Sequence, residues 1–303
     1  MIVPTHDRHR SLFRLLESLR DTEHVREVIV VDDGSVPPVS VADSLTRVVR
    51  NELPQLVSTS RNRGAVEARG DILLFADDDC VLGPDVVRAL TLAFERDTEL
   101  GIAGPAICYW SRPAVLWCAG TVMTKWTGRT ILRGKGRESR AAQSFGRACS
   151  SFPTCFAVRR TAFHEVAGFD AANFPSHMGE GELAERVMQR GYRVQLVPEA
   201  VVWHDMDPDA ALARTLHVTT TGAFEVGRSR GLYIRRYSPT FACKVTRLLF
   251  WLAVLVPVYL SATLFSPWAK IGTRVAAARA FLRGTWHGLV DRWRDRRPSP
   301  ERH

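Results

Sequence analysis

Apolar residues in this chain come in short runs separated by stretches of helical spacing, and the alternation predicts an α/β fold. Ile2-Val3-Pro4-Thr5 reads as the end of a strand, and Leu12, Leu15, Leu16 and Leu19 predict an amphipathic helix over about residues 10 to 20. Val28-Ile29-Val30-Val31 is a second run, so strand, helix and strand form a βαβ unit with a parallel sheet and a right-handed crossover. Residues 36 to 50 are expected to hold a weak helix and a short strand near Val48-Val49, followed by a basic turn at Arg61-Asn62-Arg63-Gly64 and a short helical piece up to Gly70. Ile72 to Ala76 reads as a strand buried on both faces. Pro84 opens a helix with Val86, Val87, Leu90 and Phe94 on one face, and residues 101 to 106 form a further strand. Residues 108 to 150, rich in Trp, Gly and Arg, lack a clear period and predict strands and loops on an acceptor side.

A second patterned block follows. Residues 156 to 160 read as a strand, leading to a helix that ends at Gly168-Phe169-Asp170. The Gly- and acid-containing loop at 177 to 182 opens a helix carrying Leu183, Val187 and Met188, and residues 192 to 198 and 200 to 205 read as two strands. Residues 248 to 265 carry no charge, have Pro257 in their middle and just reach the length of a transmembrane helix. Lys244 and Arg247 precede this stretch and Lys270, Arg274 and Arg279 follow it, so both flanks are basic, against the usual one-sided bias. A Pro-broken re-entrant hairpin is therefore favoured over a single pass, with a buried core helix as the bland alternative. Beyond it, Ile271, Val275, Ala278, Leu282, Trp286, Leu289 and Trp293 advance by threes and fours, a basic amphipathic helix suited to a membrane interface.

Composition changes this picture at two points. The net charge is +9 over 303 residues, and much of the excess comes late, beside the apolar segment. That placement points to an anionic membrane surface; paired Cys/His zinc spacings and an aromatic-basic RNA signature are absent, so no nucleic-acid partner is expected. The six cysteines have no paired spacing and read as reduced thiols of a cytosolic domain. The first residues open directly into a strand without an apolar leader, so export is not expected.

Candidate chemistry sits where the apolar runs stop. One run ends in Asp77-Asp78-Asp79 and another in Asp32-Asp33-Gly34-Ser35. Open α/β sheets bind ligands at the carboxyl ends of their strands, and adjacent carboxylates repel unless they are solvated or gathered around a cation. Such clusters suit a nucleotide and its metal. One acid accepts from a base N–H or ribose hydroxyls, and another holds Mg2+ or Mn2+ against a diphosphate whose departure the cation eases. An acidic surface turn is the alternative. Arg8, Arg61 and Arg63 lie near the same strand ends and add positive charge. Glu180 and Glu182 open a helix, either as acids matched to its dipole or as a general base for an attacking hydroxyl. His204, closing an apolar strand, is a candidate third metal ligand or a satisfied structural histidine.

Val3-Pro4-Thr5, Val30-Val31-Asp32-Asp33-Gly34-Ser35, Asn62-Arg63-Gly64, Leu74-Phe75-Ala76-Asp77-Asp78-Asp79, Gly168-Phe169-Asp170 and Trp203-His204 occur in the order seen in family 2 glycosyltransferases, and over residues 1 to about 205 the chain resembles that family. The resemblance implies a GT-A fold, Rossmann-like with a mostly parallel sheet flanked by helices. It also implies transfer of a sugar from a nucleotide-sugar (UDP-, dTDP- or GDP-linked) with inversion at the anomeric carbon. Carried over, Pro4, Thr5, Asp32 and Asp33 contact the nucleoside, Asp77 and Asp79 hold ribose and metal, and His204 is a further metal ligand; Arg8, Arg63 and Asp78 are grouped with the donor-binding residues. Two departures stand out. Where the family usually has E-D-x-D/E-L, this chain has Gly179-Glu180-Gly181-Glu182-Leu183, so Glu180 falls at the base position one methylene longer than Asp, and Glu182 is a rival base. Between Asn62 and Asp71 the chain is several residues short.

The domain expectation is a GT-A unit at 1–215, a basic linker helix at 216–243, and a hydrophobic re-entrant or transmembrane segment plus amphipathic helix at 244–303. The functional expectation is a metal-dependent glycosyltransferase at the cytoplasmic face of the cell membrane, acting on a lipid-linked or polysaccharide envelope acceptor. The alternatives are a degenerate homologue that only binds nucleotide-sugar or a partner, and a sugar-phosphate nucleotidyltransferase, whose early Gly-rich basic loop is missing at Thr5-His6-Asp7-Arg8.

Overall fold

The computed structural model describes residues 1–20, 22, 24–124, 126, 129–206, 219–266 and 269–291. The chain divides into two compact units. The first comprises Met1–Val122, Ile131–Ala171 and Gly179–Met206, and the second Met123–Thr130, Ala172–Met178 and Asp207–His303.

The first unit is built on a nine-stranded sheet of order β3-β2-β1-β4-β10-β6-β11-β5, with β7 (Leu116–Cys118) pairing β6. β1 (Ile2–Thr5), β2 (Val28–Asp32), β3 (Thr46–Arg50) and β4 (Ile72–Ala76) are parallel, joined through α1 (His9–Glu17) and α2 (Val57–Glu67). Register pairs Thr5 with Asp32 and Asp32 with Arg50, so the polar ends of three strands lie side by side. The expected mostly parallel sheet is in fact mixed. β10 (Cys155–Arg159) runs antiparallel between β4 and β6 (Leu100–Tyr109), and β5 (Cys80–Leu82) runs antiparallel to β11 (Arg193–His204).

Side chains of β4 alternate between two cores, Leu73 and Phe75 on one face and Leu74 and Ala76 on the other, which is why its sequence is continuously apolar. Phe75 is the centre of an aromatic cluster, with ring centroids 5.5 Å from Phe156, 5.6 Å from Phe163 and 5.3 Å from Phe169. On the opposite face α1 packs Leu12 and Leu15, and α3 (Val86–Arg96) packs Val86, Leu90 and Phe94.

Three local expectations are corrected. Arg61-Asn62-Arg63-Gly64 is not a turn but the middle of α2, whose buried positions are Ser58, Ser60, Arg61, Gly64 and Ala65, so no apolar stripe announced it. A Cβ on Gly64 would come within 2.4 Å of Ile2 Cγ2, so glycine lets this helix lie directly on β1. No helix forms between 36 and 45 among the described residues. The two strands expected at 192–205 are one strand, β11, in which residues 198–200 bulge out between Val197, opposite Pro105, and Val201, opposite Ala106.

In the second unit, α6 (Thr220–Tyr237) and α9 (Ile271–Val290) flank a longer helix, α7 (Phe241–Phe250) continuing through a π turn (Trp251–Leu255) into α8 (Val256–Leu264). Here the expectation of a Pro-broken hairpin fails. The helix is continuous over 24 residues, Phe241–Leu264, and contains an 18-residue window of mean hydropathy 1.8, long and apolar enough to cross a membrane. Pro257 sits in the first turn of α8, just after the π turn, where its missing N–H is absorbed by the altered hydrogen-bond pattern. α6 and α9 meet through paired glycines. A Cβ on Gly227 would lie 2.5 Å from Phe281 O, one on Gly284 only 2.0 Å from Phe224 O, one on Gly288 2.5 Å from Arg228 O, and one on Gly231 2.9 Å from the carbonyl carbon of Gly288. The face of α9 that packs is thus Ala277, Phe281, Gly284 and Gly288, whereas Leu282 and Trp286 of the expected stripe are exposed. Trp293 and the start of the expected linker, 216–218, lie outside the described residues.

Phe75→Ala would empty the centre of the aromatic cluster. It is expected to destabilise the chain by about 3–5 kcal/mol, read as a lowered midpoint in denaturant unfolding.

Candidate active site

The three acids after β4 form a tight turn rather than a loose acidic loop. Asp77 N donates to Thr154 O (2.9 Å), and Cys80 N donates back to Asp77 O (3.1 Å), sending the chain directly into β5. β5 pairs with β11 so that Cys80 lies opposite His204, and Asp205 N donates to Asp79 O at 2.8 Å. Backbone pairing thereby brings His204 to the acids.

Each acid has a different environment. Asp77 Oδ1 accepts from Arg61 Nη2 at 2.7 Å. Asp78 is buried, accepts from Thr5 Oγ1 at 2.7 Å and lies 3.0 Å from Arg8 Nη1. Burial pushes its carboxyl up to about 6, against the pull of Arg8 and Thr5. Asp79 is also buried and accepts from Arg8 Nη2 at 2.7 Å. Burial works against its ionisation, but His204 and Arg8 outweigh it and hold the carboxyl well below the usual carboxylate range.

The second oxygen of Asp79 is informative. Oδ1 lies 3.1 Å from His204 Nε2, yet it is enclosed with no hydrogen-bond partner, as is His204 Nδ1. Trp117 packs on the His204 ring at 4.7 Å between centroids and fixes its plane. Neighbouring ligands on an octahedral Mg2+-type ion with bonds of about 2.1 Å are separated by about 3 Å, so this pair fits one edge of such a shell. The expected trio of Asp77, Asp79 and His204 is not assembled. Among the described residues no group of three or more His, Cys, Asp or Glu side chains converges, because Asp77 Oδ1 is turned to Arg61. Two protein ligands completed by substrate phosphate is nevertheless a usual arrangement for this kind of cation.

Arg61 ties the acid turn to the helix carrying the candidate base. Its side chain is only 1% exposed, Nη2 reaches Asp77, and Nη1 donates to Glu180 Oε1 at 2.6 Å. The guanidinium lies 5.7 Å from the Phe156 ring centre and 5.4 Å from that of Phe169. Burial opposes its charge, but Glu180 and Asp77 outweigh that cost and raise its pKa further. Glu180, in the first turn of α5 (Gly179–Gln189), thus stands across one guanidinium from Asp77.

Other expected site residues are placed differently. Glu182 is fully buried, and both its oxygens accept from Arg186, at 2.7 and 2.6 Å, so it is bound into the core and is not the rival base. Asp32 is buried and accepts from Ser35 N (2.8 Å), Val39 N (3.1 Å) and Arg50 Nη1; its carboxylate shapes the loop after β2 and is not presented to a nucleoside. Asp33 accepts from Asn51 Nδ2 (2.6 Å) and from the backbone of Gln55 and Leu56, holding the loop after β3. Arg63 donates to Asn51 Oδ1. Pro4 and Thr5 are buried at the end of β1. Arg50, Asn51 and Trp117 were missed from sequence. Arg50-Asn51 could have been found as the polar end of the third parallel strand, whereas nothing local marks Trp117.

A mixed α/β sheet whose strand ends gather an Asp turn, a histidine and a helix-start acid defines the GT-A class. Residues 1–167 match the family described as "Glycosyl transferase family 2", over half of the chain, and the protein belongs to that family. It is 39% identical over 113 residues to an uncharacterized glycosyltransferase of Haemophilus influenzae, 36% of this chain and 38% of that protein. It is 26% identical over 260 residues to an N-acetylglucosaminyltransferase of Mesorhizobium japonicum, 77% of this chain and 59% of that protein. The chain therefore spans less than two thirds of the length of these relatives. The fold is shared with the crystal structure of GalNAc-T7 with UDP, GalNAc and Mn2+, at a TM-score of 0.56 and 15% identity over 85% of this chain and 56% of that one.

The two acids of α5 differ in a stability measurement. Glu182→Gln breaks a buried ion pair and is expected to cost about 3 kcal/mol or more, whereas Glu180→Gln also lowers the thermal midpoint but by less, because Asp77 still meets the buried Arg61 guanidinium.

Proposed function

We propose that this chain is a metal-dependent inverting glycosyltransferase that moves a sugar from a nucleotide-sugar to a hydroxyl of a lipid-linked or polysaccharide envelope acceptor. The observation that carries the reading is the Asp77–Arg61–Glu180 bridge, which sets a helix-start carboxylate beside the acid turn that includes Asp79. Family membership supports sugar transfer, and the Mn2+ and UDP in GalNAc-T7 support a nucleotide diphosphate donor and a divalent ion.

In this mechanism Glu180 accepts the proton of the acceptor hydroxyl. The hydroxyl oxygen bonds to the anomeric carbon as the bond from that carbon to the diphosphate breaks, its electron pair leaving with the nucleoside diphosphate. Attack from the face opposite the leaving group inverts the centre. Asp79 and His204 would hold Mg2+ or Mn2+, and the chemistry such an ion would supply is neutralisation of charge on a diphosphate leaving group. Asp77 has one oxygen on Arg61 and its other carboxylate oxygen for ribose or metal. Arg8 and Arg63 supply positive charge toward the diphosphate, and Pro4 and Thr5 border the nucleoside. Arg61 orients Glu180, which matters because a base misplaced by about 1 Å can lose on the order of a hundredfold in rate.

The membrane part of the proposal rests on the helix Phe241–Leu264, most of whose apolar window is uncovered. Attachment at the cytoplasmic face places the enzyme where soluble nucleotide-sugars and lipid acceptors meet.

Thermal unfolding with UDP-, GDP- and dTDP-sugars, with and without Mn2+, tests the donor site, since a ligand of the native state raises the midpoint. One nucleotude class is expected to give a Mn2+-dependent shift that His204→Ala and Asp79→Ala abolish. Glu180→Gln should keep the shift and lose turnover by at least about a hundredfold. A shift without turnover in the unaltered chain would instead describe a binding module. For the membrane part, Leu249 and Val258 are 61% and 60% exposed. Replacing both by Asp in the full chain should release it from phosphatidylcholine vesicles in a flotation assay, as each charge costs about 2.5–3.5 kcal/mol in a bilayer.

A further inference from the structure

The membrane-length helix carries a buried cation that its surroundings do not neutralise. Arg247, on α7, is only 7% exposed. Its Nη1 donates to Tyr237 O at 3.3 Å and to Ser238 Oγ at 3.5 Å, both long for a charged donor. Its Nε is enclosed without an acceptor, and among the described residues Nη2 has none either. The guanidinium lies 5.8 Å from the ring centre of Trp126, in the connection between β8 (Thr121–Thr124) and β9 (Arg129–Leu132). Arg247 and Trp126 both belong to the second unit. α7 contains no acid, and no carboxylate pairs with Arg247 among the described residues. Lys244, three residues earlier on the same face, adds a second positive charge.

Position along the helix gives this group a setting. Residues 248–265 carry no charge, so Arg247 is the last cation before a stretch long enough to fill the hydrocarbon core of a bilayer. Its guanidinium then stands at the depth of the lipid phosphates, the level at which tryptophan also concentrates. Burying an arginine without a counter-charge is costly, and a phosphate carried by a lipid offsets that cost. The planar fork matches phosphate oxygens, and an indole face over the cation shields the contact from water. A helix cap on Tyr237 alone uses one nitrogen and leaves the rest of the fork idle. We propose that Arg247, with Lys244 and under the cover of Trp126, binds the phosphate of an anionic phospholipid. The site rests on the membrane reading of this helix, which it deepens, and is independent of sugar transfer.

The test is flotation of the full chain with vesicles of phosphatidylcholine alone and of phosphatidylcholine mixed with phosphatidylglycerol. The unaltered chain should bind both, and the anionic mixture more tightly. Arg247→Gln and Arg247→Lys should bind phosphatidylcholine like the unaltered chain but the anionic mixture at least about tenfold more weakly, the lysine variant because it keeps the charge and loses the fork. Arg279→Gln, which removes an exposed cation of α9, should cost less than about fivefold, the worth of one charge near an anionic surface. A lysine variant that keeps the anionic gain, or equal losses in Arg247→Gln and Arg279→Gln, would reduce the effect to surface charge and overturn the site. So would Arg247 variants that melt several degrees lower in neutral detergent yet keep the gain, since Arg247 would then only cap α6. If both Arg247 variants lose cooperative unfolding, Trp126→Ala decides, because it alters no residue of the helices. It should lower the anionic gain about threefold by stripping the cover, and an unchanged gain overturns the site. Competition by equimolar inorganic phosphate would assign the contact to a free phosphate compound and overturn the lipid source. Binding to phosphatidylcholine without any anionic gain removes the site alone, whereas binding to neither vesicle removes the membrane reading with it.

Discussion

The buried charge of Arg61 is the constraint around which the first unit is arranged. A guanidinium cut off from water must be met by carboxylates and by surfaces that tolerate it, and each of these comes from a different part of the chain. Asp77 comes from the turn after β4, Glu180 from the first turn of α5, and the flanking rings from β10 and the loop after α4 (Arg160–Glu165). Removing either acid would leave part of the charge uncompensated. The arrangement therefore links the geometry of the candidate site to folding: the same contacts that keep Arg61 in the core set the distance between the acid turn and the candidate base. It also suggests how the chain accommodates Glu180 where its family usually has the shorter Asp, because the carboxylate is held at its far end by Arg61 rather than by the length of its own stem.

Much of this was legible in the sequence, for a physical reason. Strands buried on both faces must be continuously apolar, so β1, β2 and β4 stood out together with the acids that end them. What could not be read is the direction in which a polar side chain is spent. Asp32 and Asp77 look alike as acids at strand ends, yet one is saturated by its own loop and the other faces Arg61. Glu180 and Glu182 are two residues apart on one helix, and that spacing points them to different sides, one to the site and one to Arg186 in the core. α2 was hidden for the opposite reason. Its buried face carries Ser58, Ser60, Arg61 and Gly64, suited to hydrogen bonding and close approach, so hydrophobic periodicity was silent beside the candidate site.

The helical unit shows the same limit in a different form. Pro257 was a sound reason to expect a break, but a π turn just before it relieves the ring and lets the helix run on. The expected apolar stripe of α9 likewise gives way to glycines and alanines, because helices that approach this closely are packed by backbone rather than by large side chains.

The bulge in β11 carries a consequence for His204. Residues 198–200 are three extra positions against β6, an odd number, and side chains on a strand change face with every residue. The bulge thus acts as a parity shift. Upstream of it β11 keeps step with one phase of the sheet, and downstream with the other. His204 meets Asp79 only in the second phase, so the histidine's side of the sheet is decided four to six residues earlier by the length of a bulge that touches neither group.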